Sequence, residues 1–505
     1  MRKDKVQTAT LIVQFPIKEV FIFVIGLIVL TVLIYSTWSD DISSAIGNVR
    51  GSTGLVRMNR QPSRIPATPI ILSCPTDTAI TCNQTPNNAS STTPLPSASQ
   101  NTKAKHNSFA SPSCPDFFRY IHEDLKPWKS TGITKEMVDS ARQFAHFRLV
   151  IINGKAYHEQ YKKCFQTRDL FTIWGILQLL NRYPSRVPDL ELMFNCEDPP
   201  MIKKSNYNSS APPLFHYCKD ESALDILFPD WTFWGWPEVN IKPWDLLLDE
   251  LKNTTESLEW KDKIPYAFWK GNPSGIGARE DLMRCNLSSE HEWNARLFRQ
   301  DWRRETANGF TDSNLAKQCN YRYKIYIDGM SWSVSEKYIL ACKSPMLLVT
   351  TRYIDFYTRG LLPGKHYWPI NSSHKCESIK FAVDWGNTHL KEAEDLGTRG
   401  SLFARQELSM ENTYDYMLHL LTEYAQLLTY KPTPDKANHI CIESMACPAT
   451  GLWKQFMLDS MVKSTYEFEP CSLSPPFDIE DLNAVARSKE EYLEDIEKME
   501  KGTAL

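Results

Sequence analysis

A chain of 505 residues with a formal net charge of −3 has room for two or three domains and lacks the positive excess of a nucleic-acid-binding surface. Aromatic residues make up 12% of it, and the 15 tryptophans suit either a large core or the apolar faces of sugars. All 13 cysteines lie from Cys74 onward, which fits an oxidising compartment, and the odd number leaves at least one thiol without a partner in the chain.

Residues 1–19 read as a cytosolic tail carrying Arg2, Lys3, Lys5 and Lys18. Residues 20–38 (VFIFVIGLIVLTVLIYSTW) are uncharged and close to the roughly 20 residues that span a bilayer. Basic residues before the run and Asp40 and Asp41 after it predict a signal anchor, with the bulk of the chain across the membrane. A cleaved signal peptide is the rival, but Thr37-Trp38-Ser39 makes a poor cleavage site. Residues 39–113 are rich in Ser, Thr, Pro and Asn and predict a disordered stem, with Cys74 and Cys82 placed to close a small loop inside it. Asn-x-Ser/Thr acceptors for glycans occur at Asn83, Asn88, Asn208, Asn253, Asn286 and Asn371.

The folded part begins near Cys114. Residues 135–147 carry apolar side chains at helical spacing, and residues 147–157 (FRLVIINGKAY) predict a hairpin, since Asn153-Gly154 suits a type I′ turn. Residues 170–180 form an apolar helix that stops before Pro184, and residues 190–194 a buried strand. Strands at 266–269, 323–327 and 346–349 then alternate with helices at 280–285, 334–342 and 379–385. That order predicts an α/β fold with parallel sheets and crossover helices. A long helix follows at 411–428, and residues 489–501 read as a charged, solvated helical tail.

Three strand ends carry candidate chemistry, because ligands in open α/β folds sit beyond the carboxyl ends of strands. The first is PDLELMFNCEDPP, residues 188–200, where the two prolines stiffen the loop after Asp198. A carboxylate held so is a candidate general base, with Glu197 its close competitor and a plain turn aspartate the other reading. The second is WKGNPSGIGAR, residues 269–279. Its glycines admit an anion to the backbone amides at a helix start, and Arg279 offers a fork that matches phosphate oxygens. It is neither a P-loop nor a dinucleotide fingerprint, and a simple glycine turn explains it equally well. The third is DGMSWSVSEK, residues 328–337, where Ser333 and Glu336 fit a capping box and Lys337 lies close by. The cluster FPDWTFWGWP, residues 228–237, serves either as core or as an acceptor surface. No histidine pair has ligand spacing and residues 114–475 hold no Asp-x-Asp motif, so no metal is expected.

As an ordered set, PDLELMFNCEDPP, PDWTFWGWPEVNIKPWD, the YAFWKGNPSGIGAR segment with its following LMRCN, and YKIYIDGMSWSVSEKYILACKSPML resemble glycosyltransferase family 90. This group contains the Rumi-like protein O-glucosyltransferases and fungal capsule-associated proteins, and the likeness runs over about residues 114–431. The anchor and stem look like those of its plant members. The resemblance implies a GT-B architecture, two Rossmann-like lobes facing a cleft within residues 114–475, with a lobe boundary near 240–262 and a charged tail at 476–505. It implies inverting, metal-independent transfer from a UDP-sugar, with no cofactor, to a hydroxyl of a protein or cell-wall glycan, glucose or xylose being the expected sugar. A Golgi membrane location in type II orientation goes with it. Asp198 falls on the family's base and Arg279 on its diphosphate arginine, with Gly271, Asn272 and Ser274 at the cradle. Met330, Ser331, Trp332, Ser333, Val334 and Ser335 match the second donor stretch, and Arg168, Phe233, Trp234, Gly235 and Trp236 the acceptor side. Where the O-glucosyltransferases end that second stretch in another phosphate arginine, this chain has Ser335, with Lys337 nearby. That departure keeps a catalytically silent Golgi carbohydrate-binding or scaffold protein as the alternative. A lumenal glycosidase would need two placed carboxylates, and the sequence offers one.

Overall fold

The NG turn behaves as its residues dictate. Phe147–Ile152 (β1) pairs antiparallel with Lys155–Gln160 (β2), and the two linking residues, Asn153 and Gly154, take φ of 49° and 71°, as a type I′ turn requires. The structure is a computed structural model that describes residues 66–75, 82, 112–207 and 210–502, all within one unit, Pro62–Leu505. The expected anchor at 20–38 and most of the expected stem lie outside the described residues. Among those described, no helix is long and apolar enough to cross a membrane.

After β2 the helix Arg168–Arg182 (α1) crosses to Leu190–Phe194 (β3), an all-buried strand that pairs antiparallel with β1. Phe215–His216 (β4) and Ile226–Leu227 (β5) extend the sheet in parallel, and strand Asn438–Ile440 closes its far edge against β2. The first sheet is therefore mixed. Its antiparallel part begins at the hairpin expected of residues 147–157, since a two-residue turn after β1 permits only an antiparallel return.

The helix Trp244–Glu256 (α2) leads to the second sheet. There Ile264–Gly271 (β6), Ala295–Arg299 (β7), Tyr321–Tyr326 (β8), Met346–Val349 (β9) and Tyr367–Ile370 (β10) run parallel in the order β10-β9-β8-β6-β7. Gly277–Leu282 (α3) follows β6, Glu336–Ala341 (α4) follows β8, and Lys375–Thr388 (α5) follows β10. Tyr323, Ile325 and Ile327 face a core with Ile379 and Val383 of α5. The opposite face of the second sheet shares the larger core with the first, through Tyr326, Met346 and Leu348.

Six disulfides join Cys74–Cys447, Cys82–Cys441, Cys114–Cys471, Cys164–Cys196, Cys285–Cys376 and Cys319–Cys342. The small loop expected between Cys74 and Cys82 does not form, since each bonds instead to a cysteine beyond Met410–Leu427 (α6). Residues within the expected stem are also held by backbone bonds, as Ile70 donates to Lys463. The C-terminal charged stretch is the helix Ile479–Gly502 (α7), and it is not wholly solvated: Ile496 is buried, Tyr492 covers Gly364, and the Ser378 hydroxyl donates to Glu500.

Candidate active site

A cleft of about 380 Å³ lies between the strand ends, and its walls draw on both sheets. On one wall is Asp198, on the loop that leaves β3. Two restraints fix that loop: the Cys164–Cys196 disulfide beside it, and Arg168 in the first turn of α1. The Arg168 Nη1 donates to the Cys196 carbonyl at 2.9 Å and to Asp198 Oδ1 at 2.9 Å. Its guanidinium lies 4.5 Å from the centre of the Trp231 ring, so stacking holds the fork in place. The Asp198 side chain stays 37% exposed toward the cleft, and its carbonyl accepts from the free thiol of Cys218 at 3.2 Å. Glu197 turns away: it pairs with His146 Nε2 at 3.2 Å and does not line the cleft.

Arg279 stands on the other wall. Its Nε donates to the Asp328 carbonyl at 2.9 Å, Nη2 to the Ile327 carbonyl and Nη1 to the Asn272 carbonyl, both at 3.3 Å. A Cβ on Gly329 would sit 3.3 Å from Nη2, so that glycine leaves the guanidinium its space. Burial lowers the Arg279 pKa, with the neighbouring Tyr326 and Asp328 opposing the shift. Gly271 and Asn272 line the cleft, whereas Ser274 does not; the Ser274 amide donates to Asn272 Oδ1 within the turn. The Gly275 amide is already taken by Glu280 Oε1 at 2.9 Å.

The loop after β8 brings Gly329, Met330, Trp332, Ser333, Val334 and Ser335 to the cleft. Ser331 is buried behind it. The capping box expected of Ser333 and Glu336 is absent. Helix α4 starts one residue after Ser335, the Ser333 hydroxyl meets that of Ser335 at 2.9 Å, and Glu336 is buried, where it accepts from Thr358. Burial holds the Glu336 carboxyl well above its usual range, with Asp355 and Asp328 adding to the shift. Lys337 does not reach the cleft. Its Nζ is buried against Asp230 at 3.1 Å and Thr232 at 2.6 Å, a partner that a charged group with this little solvent requires.

On the expected acceptor side the aromatic cluster divides. Phe233 and Trp234 are core residues, and the Trp234 indole donates to Tyr414 at 3.0 Å. Gly235 takes φ of 120° with Phe456 packed over it. Of the four cluster residues matched to the acceptor side only Trp236 lines the cleft, held by a 2.7 Å bond to Gln166 Oε1. Trp231, named in the sequence only as part of the aromatic cluster, also lines the cleft, as do Phe268, Gln300, Trp302, Gln318 and Lys324, to which sequence reasoning gave no site role. Lys324 left one signal, a charged residue at the centre of a strand of aromatic and aliphatic neighbours.

Among the glycan acceptors, Asn253 is exposed on α2. The Asn286 amide is spent on β7: Nδ2 donates to the Leu297 carbonyl and Oδ1 accepts from the Leu297 amide, both at 3.0 Å. Asn371 is half-buried and accepts from Ser373. Asn83, Asn88 and Asn208 lie outside the described residues. Two groups of possible metal ligands, Cys114 with His419 and Cys471, and His146 with Cys164 and Cys196, have their cysteines tied up in disulfides.

Two sheets around one cleft, the second fully parallel with loops converging at its strand ends, make an α/β fold with the ligand site where such folds place it. The family model for glycosyl transferase family 90 matches residues 109–500, and the chain belongs to that family. It is similar to O-glucosyltransferase rumi of Drosophila pseudoobscura pseudoobscura, with 26% identity over 65% of this chain and 81% of that protein. It is likewise similar to Protein O-glucosyltransferase 1 of Bos taurus (26%, over 65% of this chain and 84% of the relative) and of Homo sapiens (26%, over 66% and 86%).

Proposed function

We propose that the chain transfers glucose or xylose from a UDP-sugar to a hydroxyl of a protein or cell-wall glycan, with inversion and without a metal. The observation that carries this reading is that Asp198 and Arg279 line one cleft rather than two. They also lie close enough for the Asp198 charge to act on Arg279. In this reading the two sheets are the lobes of a GT-B enzyme, and the relatives named as O-glucosyltransferases favour a protein acceptor and glucose.

Asp198 takes the proton of the acceptor hydroxyl as that oxygen attacks the anomeric carbon from the face opposite the diphosphate. Arg168 sets the carboxylate's direction. Arg279, with its five donors fixed by three carbonyls, faces the charge that grows on the leaving diphosphate, and a preorganised donor of that kind contributes about 3–4 kcal/mol. Residues 20–38 would anchor the protein in the Golgi membrane with the catalytic part in the lumen. The Asp198→Asn protein should bind UDP as the unaltered protein does and release no UDP from UDP-glucose in the presence of acceptor. Loss of both properties would make Asp198 a structural residue.

A further inference from the structure

Five cationic side chains line the cleft among the described residues. Arg168 is paired with Asp198, Lys242 with Glu250, and Lys270 with Glu305. Arg279 is satisfied by carbonyl groups at the diphosphate end. The fifth, Lys324, has no acidic partner among the described residues. It is 3% exposed; its Nζ donates to Gln318 Oε1 at 3.1 Å and sits 4.5 Å from the centre of the Phe268 ring. Burial holds its amine well below the usual lysine range, and the only charge acting on it is another cation, Lys263. A buried lysine without a carboxylate costs stability, so its place in the cleft wall calls for a ligand.

Position says which part of the donor it meets. Lys324 lies four residues before Asp328, whose carbonyl anchors Arg279, so it is set back about 13 Å along the strand from the diphosphate end. In the donor reading the sugar and the acceptor lie between Asp198 and the Arg279 end of the cleft. What remains for Lys324 is the nucleoside. Around it the cleft is walled by Phe268, Phe310 and Leu315, fit to cover a flat ring. The Gln318 oxygen already accepts from Lys324, which leaves the Gln318 amide N–H groups and the remaining Lys324 N–H bonds as donors for a ligand.

We propose that Lys324, oriented by Gln318, selects the nucleobase of the donor by donating to a ring carbonyl, and so favours uracil over adenine. The inference rests on the UDP-sugar reading above. Titration calorimetry with UDP and ADP on the unaltered protein and on Lys324→Met holds the diphosphate constant and varies the base. The unaltered protein should prefer UDP. Lys324→Met should lose about tenfold in UDP affinity, the worth of one hydrogen bond, with ADP unchanged. It should also melt no lower than the unaltered protein, because a desolvated amine has been removed. Unchanged UDP affinity, an equal loss for both nucleotides, or a lower melting temperature overturns the proposal. An unaltered protein that binds neither nucleotide overturns the donor reading itself, and the proposal with it.

Discussion

Lysines 324 and 337 show how much a single partner decides. Both are buried, Lys324 within β8 and Lys337 in the helix that follows it, yet of the two only Lys337 has an anion, Asp230, within an ion-pair distance. Removing Lys337 leaves that carboxylate buried and unpaired, so Lys337→Met should destabilise the fold by about 3–5 kcal/mol in denaturant titration, the reverse of the sign expected at Lys324. A loss of UDP affinity with unchanged stability would return Lys337 to the donor site. Arg279 is specified by shape as much as by charge. Its fork spans three carbonyls, which an ammonium cannot do, so Arg279→Lys should lose about 1.5–3 kcal/mol of UDP binding in calorimetry. A lysine variant that binds UDP normally would reduce Arg279 to a point charge. Glu197 and Asp198 are adjacent in sequence and separate in role: with Glu197 held by His146, Glu197→Gln should keep turnover where Asp198→Asn abolishes it.

Strand–loop–helix units were legible where continuous apolar runs end in glycine, as at β6 with α3 and β8 with α4, because the change in period marks the boundary. Helices α1 and α6 match their expected spans to within two residues. Strands β7 and β10 left no such mark: ARLFR carries two arginines in five residues and YWPI contains proline, and parallel pairing within the sheet decides both. The aromatic cluster was unreadable for another reason. Phe233, Trp234 and Trp236 share one short loop, and whether each ring enters the core or the cleft depends on Tyr414, Phe456 and Gln166, all distant in sequence. The disulfides are likewise non-local; four of the six join residues more than 90 apart. The Cys164–Cys196 bond is the one that touches the candidate base loop. Replacing both cysteines with serine should cost about 2–4 kcal/mol and reduce kcat while sparing UDP affinity, since the donor wall belongs to the other sheet. Equal damage to UDP binding would show that the two walls are not independent.

Across the whole molecule, burial under the second sheet sets how stability responds to pH. Asp328 and Asp355 are pushed up to about 6, mainly by desolvation, and burial also holds Glu336 well above its usual range. Between pH 4 and 6 the fold keeps protons that the unfolded chain has lost, so these groups make stability fall as pH rises; Asp124 and Glu305, lowered by their cationic partners, act in the opposite sense below that window. On the alkaline side Lys263 is lowered to about 7, first by burial and then by Lys343 and Arg405. The unfolded chain holds that proton to about 10.4. From pH 7 upward the unfolded state therefore binds more protons than the folded one, and stability should rise by up to about 1.4 kcal/mol per pH unit for each such lysine, until tyrosines ionise near pH 10. Lys324 adds to the same slope. Urea titrations at pH 6.5, 7.5, 8.5 and 9.5 should show the rise, and Lys263→Met and Lys324→Met should each reduce it, the remainder belonging to Lys219 and Lys489, which burial also lowers. A slope left unchanged by Lys324→Met would mean that this amine stays protonated in the fold, and Lys324 would then meet its ligand as a full cation.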